Sequence, residues 1–125
     1  MLEMAMYAAM APLVLLLVAS VWIYPAVLEE VVKWIILRIR TSDKTPTSNE
    51  GVLVGLIFGL SESILYATNA WGSGQWGAIG LRLLHTVPMH AVTAGIIAFG
   101  MKKGVGWVGL VIAMVVHGLY NYLVR

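Results

Sequence analysis

The chain has 125 residues, 60% of them hydrophobic and 11% charged, with a mean hydropathy of +0.87. A soluble protein this small has too much surface for its volume to hide so much apolar side chain, so the expected class is a membrane protein, with a single domain over residues 1–125. A net charge of +2 without a basic patch gives no reason to expect nucleic acid as a partner, and the lack of cysteine excludes disulfides, thiolate metal ligands and a cysteine nucleophile.

Five helices are predicted. The first covers Met4 to Trp22; Glu3 stands before it where a signal peptide would carry basic residues, so it reads as a retained helix. Pro25 suits the first turn of a second helix, which runs to about Ile39, is short and begins with charge, and is expected to start inside the membrane. One helix through both segments would be about 54 Å long, well beyond the bilayer core, so a turn is predicted before Pro25. Thr41 to Glu50 is polar and reads as a loop. The third helix follows from Gly51 to about Ala70. Trp71 to Gly77 is a glycine-rich turn with tryptophans at interface depth, and the fourth helix extends from Gly77 to about Gly100. After the basic turn Met101–Gly104 comes the fifth, Val105 to Val124. Four of the five reach the roughly 20 residues that a crossing needs, and the fold class is an all-α polytopic membrane helix bundle.

With five crossings, Arg38, Arg40 and Lys44 share a side with Lys102 and Lys103, while the turn at Trp71–Gly77 carries no charge. The positive-inside rule then predicts a multi-pass cell-membrane protein with its N-terminus in the cytoplasm and its C-terminus outside, Arg125 being a lone charge at the outer end.

The remaining ionisable residues fall inside the apolar segments: Glu29, Glu30 and Lys33 on the second helix, Glu62 on the third, Arg82, His85 and His90 on the fourth, and His117 on the fifth. A charge at the bilayer centre costs about 2.5–3.5 kcal/mol on insertion scales, so such residues face the bundle interior and mark function by default. The predicted topology sets them, with Asn121, at similar depth in the outer leaflet, which predicts one site. Helical spacing agrees: Glu29, Glu30 and Lys33 can share a face, and His117 and Asn121 lie four apart, as do Phe58 and Glu62. Gly51, Gly55, Gly59 and Ser63 form a small-residue ridge that lets a neighbouring backbone approach closely. Pro88 removes the amide that would bond the Leu84 carbonyl, between His85 and His90 in the helix.

Paired carboxylates beside a lysine, with histidines and an asparagine, suit a hydrolase that activates water. Glu29 and Glu30 can supply the base and Lys33 sets their charge; His90 or His117 can orient the water; His117 and Asn121 can face an oxyanion. Glu62 shares the water or, in a metal version, joins Glu30, His90 and His117 around zinc. No cofactor is expected in the first version. HExxH and G-x-S-x-G are both absent, and Asp43, the single aspartate, lies in a loop, which argues against zincin, serine and aspartyl peptidases.

These residues resemble the PrsW-type membrane proteases, relatives of the CAAX prenyl endopeptidases and the abortive-infection membrane proteins. Glu29-Glu30-Val31-Val32-Lys33 resembles the EExxK motif and Phe58 to Glu62 the FxxxE motif. Arg82, with Pro88-Met89-His90-Ala91, Thr93 and Gly95, is similar to the third motif, and His117 to Asn121 to the closing HxxxN. His85 has no counterpart. The prenyl endopeptidases have arginine where Trp34 stands and histidine where Glu62 stands, so prenyl-peptide cleavage is not implied. The resemblance implies an intramembrane-type endopeptidase whose partners are the bilayer and a membrane-anchored protein, cut on the outer side as in the first step of anti-sigma-factor processing. The competing readings are a proton-relay transporter, for which buried glutamates and histidines are the material, and a regulatory subunit that binds transmembrane helices through the glycine ridge. The oligomeric state is left open.

Overall fold

The computed structural model describes residues 2–19, 25–40, 44–74 and 76–124. Five α-helices follow one another: α1 (Leu2–Ala19), α2 (Pro25–Arg40), α3 (Ser48–Ala70), α4 (Trp76–Lys102) and α5 (Gly106–Leu123). A single 3-10 turn, Trp71–Ser73, precedes α4, and there is no strand among the described residues. The turn predicted before Pro25, the first part of the polar loop at 41–43 and the outer Arg125 lie outside the described residues.

α3 begins at Ser48, three residues earlier than the polar stretch suggested. The cause is a capping box: the Glu50 amide donates to Thr47 Oγ1 at 3.3 Å, and the Thr47 amide donates to Glu50 Oε2 at 2.8 Å. α4 runs without interruption through Pro88. Gly104, at φ 76°, takes the left-handed conformation that reverses the chain between α4 and α5.

α2 touches all four other helices, and α1, α3, α4 and α5 pack in that order around it. α1 and α2 lie against each other, which excludes one continuous helix through both. Met4, Ala8, Ala11 and Leu15 recur at helical spacing on α1 and join Ile36, Leu37, Val54, Phe58, Ile97 and Ala113 in the core.

Among the described residues three helical stretches are long and apolar enough to cross a membrane: Ser48–Thr68, Ile79–Lys102 and Gly106–Leu123. The expected fourth, α1, has a shorter apolar stretch among the described residues, Leu2–Leu15. Leu84, Val92, Val115 and Leu119 point outward, as lipid-facing side chains do.

The small-residue ridge of α3 is filled from within. A Cβ on Gly55 would collide with the His90 carbonyl of α4, and one on Gly51 with the Ala94 carbonyl and Ala98. A Cβ on Gly59 would come within 2.9 Å of the Val87 Cα. The ridge therefore holds α4 and is not free for a partner helix. α4 and α5 are pressed together at their turn, where Gly100 and Gly109 meet, and a Cβ on Gly106 would stand 3.7 Å from Trp34 Nε1 of α2. The far end of the bundle, at the starts of α2 and α4 and the end of α5, encloses a cavity.

Candidate active site

α2 starts at Pro25, so its first exposed-to-buried turn carries Glu29 and Glu30 directly into the bundle. Glu30 and Lys33 are both 0% exposed and pair within one helix at 2.6 Å, as the i,i+3 spacing predicts. Lys33 Nζ also lies 2.7 Å from His90 Nδ1 and 3.2 Å from Thr93 Oγ1 of α4. Phe58 covers this ammonium, its ring centroid 4.9 Å away, and packs on the His90 ring.

His90 and His117 each face a carboxylate. His117 Nδ1 stands 2.7 Å from Glu30 Oε1, and His90 Nε2 stands 2.6 Å from Glu62 Oε2. An ionised carboxylate can only accept, so with Glu30 and Glu62 charged the proton of each ring sits on the nitrogen that faces it. The rings are nearly perpendicular, with centroids 5.0 Å apart. Glu62 Oε1 takes a second bond from Arg82 at 3.3 Å, and the Arg82 guanidinium stacks on Tyr66 at 4.1 Å.

Glu29 stands at the centre. Its Oε2 is buried with no hydrogen-bond partner among the described residues, 3.6 Å from His117 Nε2 and 4.0 Å from His90 Nε2. It opens on a cavity of about 500 Å³ whose wall includes Glu62, Arg82, His85, His117, Tyr120 and Asn121.

Glu29, Glu30, Lys33, Glu62, Arg82, His90 and His117 are thus linked by hydrogen bonds or close approach, and His85 and Asn121 line the adjoining cavity. Reasoning from sequence named Thr93 within the third motif without giving it a role, gave Tyr120 none inside the closing motif, and left out Tyr66. Thr93 sits three residues past His90 and Tyr66 four past Glu62, one helical turn in each case, and that spacing was the available signal.

A metal ion is a test of this arrangement. Glu29, His90 and His117 each offer a ligand atom, all within 4.8 Å of one another, so a shared ion is within reach. Bonds of about 2.0–2.2 Å would set tetrahedral ligand atoms roughly 3.3–3.6 Å apart. Glu29 and His117 fit: the carboxylate oxygen lacks a partner, and Glu30 holds the far side of the imidazole as outer carboxylates hold metal-bound histidines. Glu30, an expected ligand, has that outer place instead, since its Oε1 already takes Lys33 and His117. His90 does not fit as it stands, because its Nε2 gives its proton to Glu62 and its Nδ1 faces Lys33.

No curated protein and no solved structure matches the chain. All of it, residues 1–125, matches one family model, described as the PrsW family intramembrane metalloprotease. With three helices fit to cross a bilayer and the motif residues gathered around one cavity, this is a membrane protein, and the chain belongs to the PrsW family of intramembrane proteases.

Proposed function

We propose that the protein is a multi-pass membrane endopeptidase, acting as one unit over residues 1–125, that cuts a membrane-anchored protein near the extracytoplasmic face. The N-terminus is cytoplasmic and the site opens outward. In support, Lys102 ends α4, Lys103 follows it in the turn and Arg38 lies near the end of α2, whereas the cavity is walled by Pro25, Leu81 and Val124 at the other end of the bundle. Processing of a membrane-bound anti-sigma factor is the substrate class that the family suggests.

The observation that carries the reading is Glu29 Oε2, buried between His90 and His117 and without a hydrogen-bond partner among the described residues. In this mechanism Glu29 takes a proton from water as the water oxygen attacks the scissile carbonyl, and returns that proton to the amine that leaves when the C–N bond breaks. His117, with its Nδ1 proton given to Glu30, turns the Nε2 lone pair toward the same water and orients it. Asn121, four residues on along the cavity wall, donates to the oxyanion that forms on the scissile carbonyl. Glu30 holds His117 and Lys33 in place, while Arg82 holds Glu62 against His90. No step runs through a metal. The metal version is favoured by the closeness of Glu29, His90 and His117, and a chelator distinguishes the two.

The test is cleavage of a tagged single-span substrate in proteoliposomes by wild type, Glu29→Gln and His117→Ala. Cleavage by wild type alone supports the peptidase. A library of membrane-anchored substrates left uncut by well-folded protein overturns it.

A further inference from the structure

Thr93 is 0% exposed and lies among the ionisable groups, yet the mechanism above gives it no task. Its Oγ1 is 3.2 Å from Lys33 Nζ and 3.2 Å from Glu30 Oε1 on α2, and 3.2 Å from the His90 carbonyl on its own helix. It therefore fastens the Glu30–Lys33 pair to the turn of α4 that carries His90.

An ammonium has three protons and no lone pair. Lys33 has three acceptors around it, namely Glu30 Oε1, His90 Nδ1 and Thr93 Oγ1, and the Phe58 ring closes the remaining side. With that set complete, His90 Nδ1 has to accept and the His90 proton has to reside on Nε2, where Glu62 receives it. His117 is in the opposite state, protonated on Nδ1 toward Glu30. The two rings therefore turn unlike edges toward Glu29, one a proton and the other a lone pair.

We propose that Thr93 is a positioning residue: by tying the Glu30–Lys33 pair to the turn of α4 that carries His90 it holds Lys33 against His90 Nδ1, opposite the Glu62 carboxylate that receives the Nε2 proton, so that the site keeps one donor and one acceptor histidine. The inference concerns the site of the proposed peptidase but does not need cleavage to be tested. A site with two acceptor imidazoles would suit a cation. A donor beside an acceptor suits a water molecule and the carbonyl that it attacks, and this assigns a reason to the poor fit of His90 to a metal.

The experiment is a long-range proton–nitrogen spectrum of the full chain, labelled at histidine nitrogen, in lipid nanodiscs. The chain has 3 histidines, so removal of His85 and of His117 in turn assigns the signals. In wild type the expected pattern is His90 unprotonated at Nδ1 and protonated at Nε2, with His117 reversed. Thr93→Val keeps the shape and removes the hydroxyl; the His90 Nδ1 signal is expected to shift as Lys33 loses its tether and moves from that nitrogen, while Nε2 stays protonated toward Glu62, with kcat down about tenfold and KM unchanged. Thr93→Ser is expected to restore the wild-type spectrum. A wild-type His90 protonated at Nδ1, or a Thr93→Val spectrum identical to wild type, overturns the proposal. Both spectra decide it even if no substrate is cut.

Discussion

Glu30 Oε1 stands 2.7 Å from His117 Nδ1 and 2.6 Å from Lys33 Nζ, so one carboxylate oxygen ties the second helix to the fifth while neutralising a buried cation. Removing it leaves the buried Lys33 ammonium with neutral acceptors and without its paired carboxylate. Glu30→Ala is expected to destabilise the protein by about 3–5 kcal/mol, whereas Glu30→Leu with Lys33→Met recovers most of that loss without recovering activity. Unfolding of the purified variants in detergent measures this, and an unaltered Glu30→Ala midpoint would contradict the ion pair.

Glu29 is the converse case. Its inner oxygen has no partner to lose, so Glu29→Gln should stay within about 1 kcal/mol of wild type in stability. Cleavage should fall by about 10²–10⁴-fold, the share that a positioned base supplies. A rate within a few-fold of wild type would remove Glu29 from the chemistry.

Gly55 tests the approach of two backbones. Its missing side chain leaves room for the His90 carbonyl, so Gly55→Ala pushes α3 and α4 apart at the site. The expected cost is about 1–3 kcal/mol, with loss of cleavage. Gly118 faces open space within its helix, and Gly118→Ala is expected to be neutral or stabilising by up to about 1 kcal/mol. Equal effects at the two positions would show that the contact is unimportant.

Chelation addresses the metal directly. Because His90 Nε2 is engaged with Glu62, cleavage is expected to survive removal of divalent ions. If chelation stops the reaction and zinc restores it, the Glu29, His90 and His117 trio becomes the ligand set and His90 must exchange its proton for the ion.

Much of this arrangement was legible in the residues. Apolar runs and their breaks at Pro25 and Gly104 delimit helices in any solvent, and of the charges that lipid rejects Glu30, Lys33, His90 and His117 do turn inward, while Arg82 and His85 stay exposed at the cavity wall. The early start of α3 was also in the text, since Thr47 and Glu50 carry the capping-box spacing; their polarity and the neighbouring Pro46 made the stretch look like a loop. What the sequence lacks is rotation and register between helices. Nothing along the chain says that His117 meets Glu30 while His90 meets Glu62, because those pairs are set by how α4 and α5 turn against α2 and α3. The same gap hid the role of Thr93, a motif residue without a task until Lys33 is brought to it, and made the ridge of α3 look like a surface for a partner when α4 already fills it.

The Glu30–Lys33 pair lies within a single helix, and that bears on how the protein enters the bilayer during synthesis. His90 and His117 belong to segments made later than α2, so they are not there to receive Glu30 when that helix leaves the ribosome. A neighbour one turn away is. The second helix therefore reaches the insertion machinery with two of its charges already cancelling each other, which lowers the cost of holding them in lipid until the rest of the bundle closes around them.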